Sequence, residues 1–328
     1  MNEIVSVIIP VLNAEKYIGG CFKALNQQVK LERGFEVILV DNGSTDSTLE
    51  IAEQYSTGMN LRIFSIPKVT IATLRNFGAK QARGDILAFL DADCIVETNW
   101  ISRGTETFET EKRIGIAGAP YNIPPDSTWI AKAWSLNSSN ALARGEKEWL
   151  PSGNMFIKKG VFLSIDGFNE LLETNEDYDI CQRLRENGYA VFLNPMIKSV
   201  HLGTPQGLLG FFKKELWHGK AVFRVFLNSR KQIMNLKAAF FALFYVFIIL
   251  GLPVSLIITA QRKMSLPLLI LITVGVVSPL LLSLIVSCRN RKYKYVLGLG
   301  VLYLIYGLAR ALCIINLSWL SSDKKRIR

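Results

Sequence analysis

The apolar and polar positions alternate between two periods over the first ninety residues. Residues 4–9 (IVSVII) form a short β-branched run ended by Pro10, the pattern of a buried strand. Residues 14–27 then place Ile18, Phe22 and Leu25 at helical spacing. The cycle repeats with a strand at 36–40 ending at Asp41, N-cap residues in DNGSTDST, and a helix over about 46–56. A strand at 61–65, a helix at 73–82 closed by Gly84, and a strand at 86–90 ending at Asp91 complete it. Such alternation predicts a doubly wound, mainly parallel sheet of the α/β class. Ligands of these sheets bind beyond the carboxyl ends of the strands, where Asp41 and Asp91 stand. Residues 114–200 read as mixed, with a helix at 176–187 closed by Gly188 and a strand at 190–193.

The pattern changes after residue 200. Residues 207–232 mix Leu, Phe and Trp with Lys and Arg, as an amphipathic helix lying in a membrane interface does. Three apolar segments follow, at about 238–260, 265–287 and 295–320, each meeting the roughly 20 residues that cross a bilayer. The expected organisation is a catalytic-type α/β domain over 1–203, an interfacial helix or linker over 204–236, and a transmembrane region over 237–328.

Charge supports this division. Residues 1–197 carry 19 Lys/Arg against 25 Asp/Glu, and residues 198–328 carry 19 against 2, so a net charge of +11 hides an acidic domain beside a basic tail. A nucleic-acid binder would put the basic patch on its globular domain, so nucleic acid is excluded as the main partner. Basic residues beside apolar spans mark the cytoplasmic face. Met1 to Ile18 read as neither signal peptide nor span, so the expectation is a multi-pass protein of the cell (inner) membrane with its α/β domain inside. The third segment is in tension with that. It contains Arg310, which is costly inside a bilayer, and full crossing would put Lys324, Lys325, Arg326 and Arg328 outside.

Five cysteines without C-x-x-C spacing argue against a disulfide framework or structural zinc, and two histidines exclude a three-histidine metal site. The acid pair Asp91 and Asp93 is better placed for chemistry. Two acids one residue apart at a strand end reach different parts of one ligand, and carboxylate oxygens suit Mg²⁺ or Mn²⁺ held jointly with substrate phosphates. Taken alone a D-x-D is weak, and helix capping by Asp93 competes with it.

Four stretches together carry more. SVIIPVLNAEKYI (6–18), EVILVDNGSTDST (36–48), TLRNFGAKQARGDILAFLDADC (73–94) and NEDYDICQRLRENGY (175–189) resemble family 2 glycosyltransferases of the GT-A fold, in that family's order and spacing. The resemblance implies that Pro10, Val11, Asn13, Asp41, Arg75 and Asp91 bind the nucleotide, and that Asp93 holds the metal, Mg²⁺ or Mn²⁺, with His201 completing its shell. It implies Asp177 as the catalytic base, which removes the acceptor hydroxyl's proton as the anomeric centre inverts. A helix start would favour the ionised form of that base. Ser152, Gly153, Asn154, Glu176 and Trp217 are the acceptor-side candidates, with Trp134 and Trp149 as stacking surfaces for a sugar.

The activity so implied is a hexosyltransferase-type, membrane-anchored transfer from a nucleotide-diphosphate sugar, typically a UDP-sugar, to a hydroxyl or phosphate acceptor. The acceptor is a saccharide or polyprenyl-linked species in cell-surface polysaccharide or glycolipid synthesis. Three rivals are weaker. A processive synthase of the same family would carry Gln and Arg of Q-x-x-R-W where Lys213 and Leu216 stand before Trp217. A sugar-phosphate nucleotidylyltransferase needs a Gly-rich basic signature that IIPVLNAEKY lacks. A non-enzymatic membrane scaffold has no use for Asp41, Asp93 and Asp177 together.

Overall fold

The computed structural model describes residues 4–29, 34–137, 143–228 and 233–316, the side chains of 220–238 apart. The chain forms two compact units: Met1–Pro125 with Ala141–Thr204, and Asp126–Asn140 with Pro205–Arg328. The segment 126–140, kept in the first domain by the sequence reading, thus belongs with the C-terminal helices.

In the first unit, β1 (Val5–Val11), β2 (Phe35–Asp41), β3 (Leu61–Ser65) and β4 (Ile86–Leu90) are joined by α1 (Ile18–Asn26), α2 (Thr48–Tyr55) and α3 (Ile71–Gln81). These are the strands and helices read from the sequence, β3 and β4 to the residue and the others with ends shifted by a few residues. After β5 (Cys94–Val96) come α4 (Trp100–Thr110) and β6 (Ile114–Gly118). β7 (Gly145–Glu146), β8 (Asn154–Lys158), α6 (Lys159–Ser164), α7 (Glu176–Glu186), β9 (Ala190–Leu193) and β10 (Ser199–His201) complete the unit, and α5 (Trp129–Trp134) lies in the other. The eight-stranded sheet has the order β3-β2-β1-β4-β8-β6-β9-β7, and β5 pairs separately with β10. Pairing is parallel except around β8, which is antiparallel to β4 and β6, and at β7 against β9. β1 to β3 step one way along the sheet, and β4 returns to the other side of β1. That reversal, at the carboxyl ends of β1 and β4, is where open α/β sheets bind their ligands. Both sheet faces are covered, so β1 and β4 are buried along their whole length. Val5, Val7 and Ile9 join Phe22, Trp100 and Phe108 on one face, while Ile8 and Phe89 join Leu74, Phe162 and Leu184 on the other.

In the second unit, α5 (Trp129–Trp134) accompanies α8 (Leu208–Asn228), α9 (Ile233–Arg262), α10 (Leu266–Arg289) and α11 (Val296–Ile315). Ala239–Arg262, Leu266–Arg289 and Tyr293–Ile315 are each long and apolar enough to cross a membrane. They correspond to the three segments expected, and the basic tail lies outside the described residues. Trp134, expected as a stacking surface for a sugar, is partly buried and packs its ring on Phe211, Tyr303 and Tyr306. Arg310 donates to the Glu215 carboxylate at 2.8 Å, both side chains being buried, and its guanidinium lies 4.8 Å from the Tyr306 ring centre. The penalty for an arginine within an apolar helix is offset by that partner from α8.

Candidate active site

The carboxyl end of β1 pairs in register with that of β2, Pro10 beside Val40 and Val11 beside Asp41. Two loops leave there and are tied to each other. Asn13, with φ of 51°, donates its backbone N–H to the Ser44 hydroxyl and accepts from Thr45 N–H through its side-chain oxygen at 2.8 Å. The Asp41 carboxylate is buried and ties its own turn to the end of β3. It accepts from Gly43 N–H at 2.9 Å, from Ser44 N–H and from the Ser65 hydroxyl at 3.1 Å. Asp41 therefore fixes the DNGST turn at the strand ends.

Arg75, on α3, is 1% exposed and holds two acids at once. One guanidinium nitrogen donates to Glu176 Oε1 at 2.6 Å and the other to Asp91 Oδ1 at 2.7 Å. These are charge-assisted contacts in a desolvated place, and only a planar fork can make both. Ser152 donates to the same Glu176 oxygen at 3.1 Å. Glu176 is thus the buried anchor of Arg75, joining α7 to the end of β4, and neither a surface acid nor an exposed acceptor contact. Gly153 is required here, because a Cβ would sit 1.9 Å from Asp91 Oδ2. Asn154 is fully buried. Its oxygen accepts from Trp100 Nε1 at 2.7 Å and its nitrogen donates to the carbonyls of Ala119 and Ile197, an architectural hub that presents no side-chain surface to a ligand.

Asp177 follows Glu176 in the first turn of α7, after Asn175 in a left-handed conformation. Its carboxylate accepts its neighbour Tyr178's N–H. Burial first, and the adjacent Glu176 charge second, push its pKa up from 3.8 to about 7. The helix start, expected to keep this acid ionised, is outweighed by those two effects. A carboxylate with raised proton affinity is suited to act as a general base near neutral pH.

Asp91, Asp93 and His201 form the third cluster. Each offers one ligand atom, and these atoms lie within 4.8 Å of one another. His201 Nε2 is 3.4 Å from Asp93 Oδ2. The strand pair brings them together, since His201 stands opposite Cys94 in the β5–β10 register and Leu202 N–H donates to the Asp93 carbonyl. Gly203 leaves the space that Asp93 fills; a Cβ there would lie 2.0 Å from its Oδ2. Two carboxylates and an imidazole, cradled this way, fit a divalent cation shared with a substrate diphosphate.

The sequence reading missed Tyr121, whose hydroxyl donates to Asp91 Oδ2 at 2.9 Å. It lies in a loop after β6 with no periodic or motif signal. The reading also missed Trp100, whose indole anchors Asn154. Trp149 is exposed on the first unit, and Trp217 is half-exposed on α8 in the second, against His218.

The family 2 glycosyl transferase profile matches residues 6–172. Glycosyltransferase AglE of Haloferax volcanii is 30% identical over 238 residues, covering 71% of this chain and 78% of that protein. A Methanococcus voltae enzyme is 26% identical, covering 66% of this chain and 72% of its own. It is the dolichyl N-acetyl-α-D-glucosaminyl phosphate 3-β-D-2,3-diacetamido-2,3-dideoxy-β-D-glucuronosyltransferase. Among solved structures, the mannosyltransferase PcManGT of Pyrobaculum calidifontis, in complex with GDP-Man and Mn²⁺, superposes with a TM-score of 0.65. At 15% identity, over 94% of this chain and 87% of that one, it is a likeness of fold. With that profile over half of its length and a relative 30% identical over most of both proteins, the chain belongs to glycosyl transferase family 2.

Proposed function

We propose that the protein is an inverting, metal-dependent transferase that adds one hexose-type sugar from a UDP-sugar to a lipid-linked acceptor at the cytoplasmic face of the cell membrane. The observation that carries this reading is the convergence around Arg75. This one side chain links the acid pair at the end of β4 to the Glu176–Asp177 step. Pro10, Val11, Asn13 and the turn held by Asp41 would receive the nucleotide. Asp93 and His201, with Asp91 beside them, would hold Mn²⁺ or Mg²⁺, whose charge offsets that of the departing diphosphate. Asp177 would take the acceptor hydroxyl's proton as its oxygen attacks the anomeric carbon. Arg75 and Ser152 keep Glu176 in place beneath it. Lipid linkage of the acceptor is supported by three helices of spanning length and by the dolichyl-linked acceptor in the name of the Methanococcus relative.

The test uses the purified full chain with UDP- and GDP-sugars, a polyprenyl phosphate and a polyprenyl-linked saccharide, with Mn²⁺ or with EDTA. Release of nucleoside diphosphate and a single added sugar, both stopped by EDTA and restored by Mn²⁺, are expected. Absence of release or transfer from every donor refutes the reading. Preference for GDP-sugars corrects the donor, and a ladder of longer products replaces single addition by processive synthesis.

A further inference from the structure

The two-residue step Tyr121–Asn122 touches two of the three residues of the cation-holding group, Asp91 and His201. From one side, the Tyr121 hydroxyl donates to Asp91 Oδ2 at 2.9 Å, while Arg75 holds Oδ1 of the same carboxylate at 2.7 Å. From the other, the Tyr121 ring packs against the His201 ring, centres 5.0 Å apart. The backbone of Asn122 secures the strand that carries His201. Its N–H donates to the Ser199 carbonyl at 2.8 Å, and its carbonyl accepts from His201 N–H at 2.9 Å. Asp91 lies just after β4 and His201 ends β10, elements far apart in sequence. The Tyr121 loop is therefore a ruler between them.

We infer that Tyr121 is a positioning residue that sets the affinity of the Asp91–Asp93–His201 group for a divalent cation. The inference rests on the proposed metal-dependent reading for its purpose, but on this geometry alone for its effect. A carboxylate oxygen has two lone-pair directions, so Oδ2 can accept the Tyr121 proton and still face a cation. Without the hydroxyl, Asp91 remains paired to Arg75 and can turn about that contact, which spreads the ligand atoms. Hydrogen-bond partners behind a metal ligand typically govern affinity by about 10–100-fold.

The experiment is a titration of the full chain with Mn²⁺ alone, read by loss of the free-ion EPR signal. Tyr121→Phe keeps the ring on His201 and removes the hydroxyl; its Mn²⁺ Kd should rise about 10-fold with the melting temperature nearly unchanged. Tyr121→Ala removes both contacts and should weaken binding further. Asn122→Ala alters an exposed side chain and keeps the backbone bonds, so wild-type affinity is expected. In turnover, Tyr121→Phe should show a raised apparent KM for Mn²⁺ and recover its kcat at saturating ion. Wild-type Mn²⁺ affinity in Tyr121→Phe, an equal loss in Asn122→Ala, or no Mn²⁺ binding by the native chain overturns the inference. Weakened Mn²⁺ binding in a protein that transfers no sugar leaves the inference standing and removes only the transferase reading.

Discussion

Asp177→Asn should stabilise the protein at pH 8 while disabling it. The ordinary carboxyl pKa of 3.8 is raised to about 7 at this position. Folding therefore favours the protonated form. The carboxyl's contribution is fully present below about pH 4 and is lost as pH rises through about 7. Three units correspond to about 4 kcal/mol at most. The side chain is partly exposed, and Glu176 shares the field, so about 1–2 kcal/mol is the expected cost of the ionised group at pH 8. Asparagine has the shape of the protonated acid and keeps an oxygen for the Tyr178 N–H, so it avoids this cost. For a unit of this size the gain is about 2–8 °C in melting temperature. Tryptophan fluorescence melts of the full chain at pH 8 and pH 4 check it, since most of the gain should vanish at the lower pH, close to the ordinary carboxyl pKa of 3.8. Turnover should fall by about 10²–10⁴-fold if Asp177 is the base. A variant less stable than wild type at pH 8, or equally stabilised at both pH values, would refute the reasoning.

Asp93→Asn should abolish Mn²⁺ binding measured by calorimetry, with little change in metal-free stability, because it removes charge from a ligand and keeps its shape. Arg75→Met leaves the buried Glu176 and the adjoining Asp91 without their shared cation. A loss of about 3–5 kcal/mol in denaturant melts is expected, and retained stability would show that the two acids find other partners. Arg310→Met should lower thermal stability in detergent by leaving Glu215 buried and uncompensated, and the double change with Glu215→Gln should recover most of it. Equal instability of the single and double variants would place the role of Arg310 in packing.

Much of the sheet was legible because each strand is a compact β-branched or apolar run with its own stop. The strands at 61–65, 86–90 and 190–193 were read to the residue. What escaped depends on partners far along the chain. Nothing local in NMFIK says that β8 enters the sheet antiparallel between β4 and β6. Asp91, Asp93 and His201 could be nominated by type and position, but their clustering depends on the β5–β10 pairing. Glu176 was placed on the acceptor side because the sequence cannot show that Arg75 reaches it across 101 positions. The raised pKa of Asp177 ran against the helix-start expectation for the same reason, burial being a tertiary property.

The insertion of residues 126–140 into the helical unit bears on how this protein can be divided. Chain order puts the segment between β6 and β8, so no single cut separates the two units. Removing everything after Thr204 would still leave Ile130, Ala133 and Trp134, whose apolar neighbours Phe211, Leu299 and Leu302 would be gone. The truncated polypeptide would carry an uncovered apolar patch and tend to aggregate or bind detergent. Its solubility would report on that segment and not on the soundness of the α/β unit. A well-behaved water-soluble form requires replacing the segment between Pro125 and Ala141 by a short polar connection, together with the C-terminal deletion. By the same logic, evolution cannot exchange the helical region of such a protein by simple fusion at one junction. The inserted segment has to change with it.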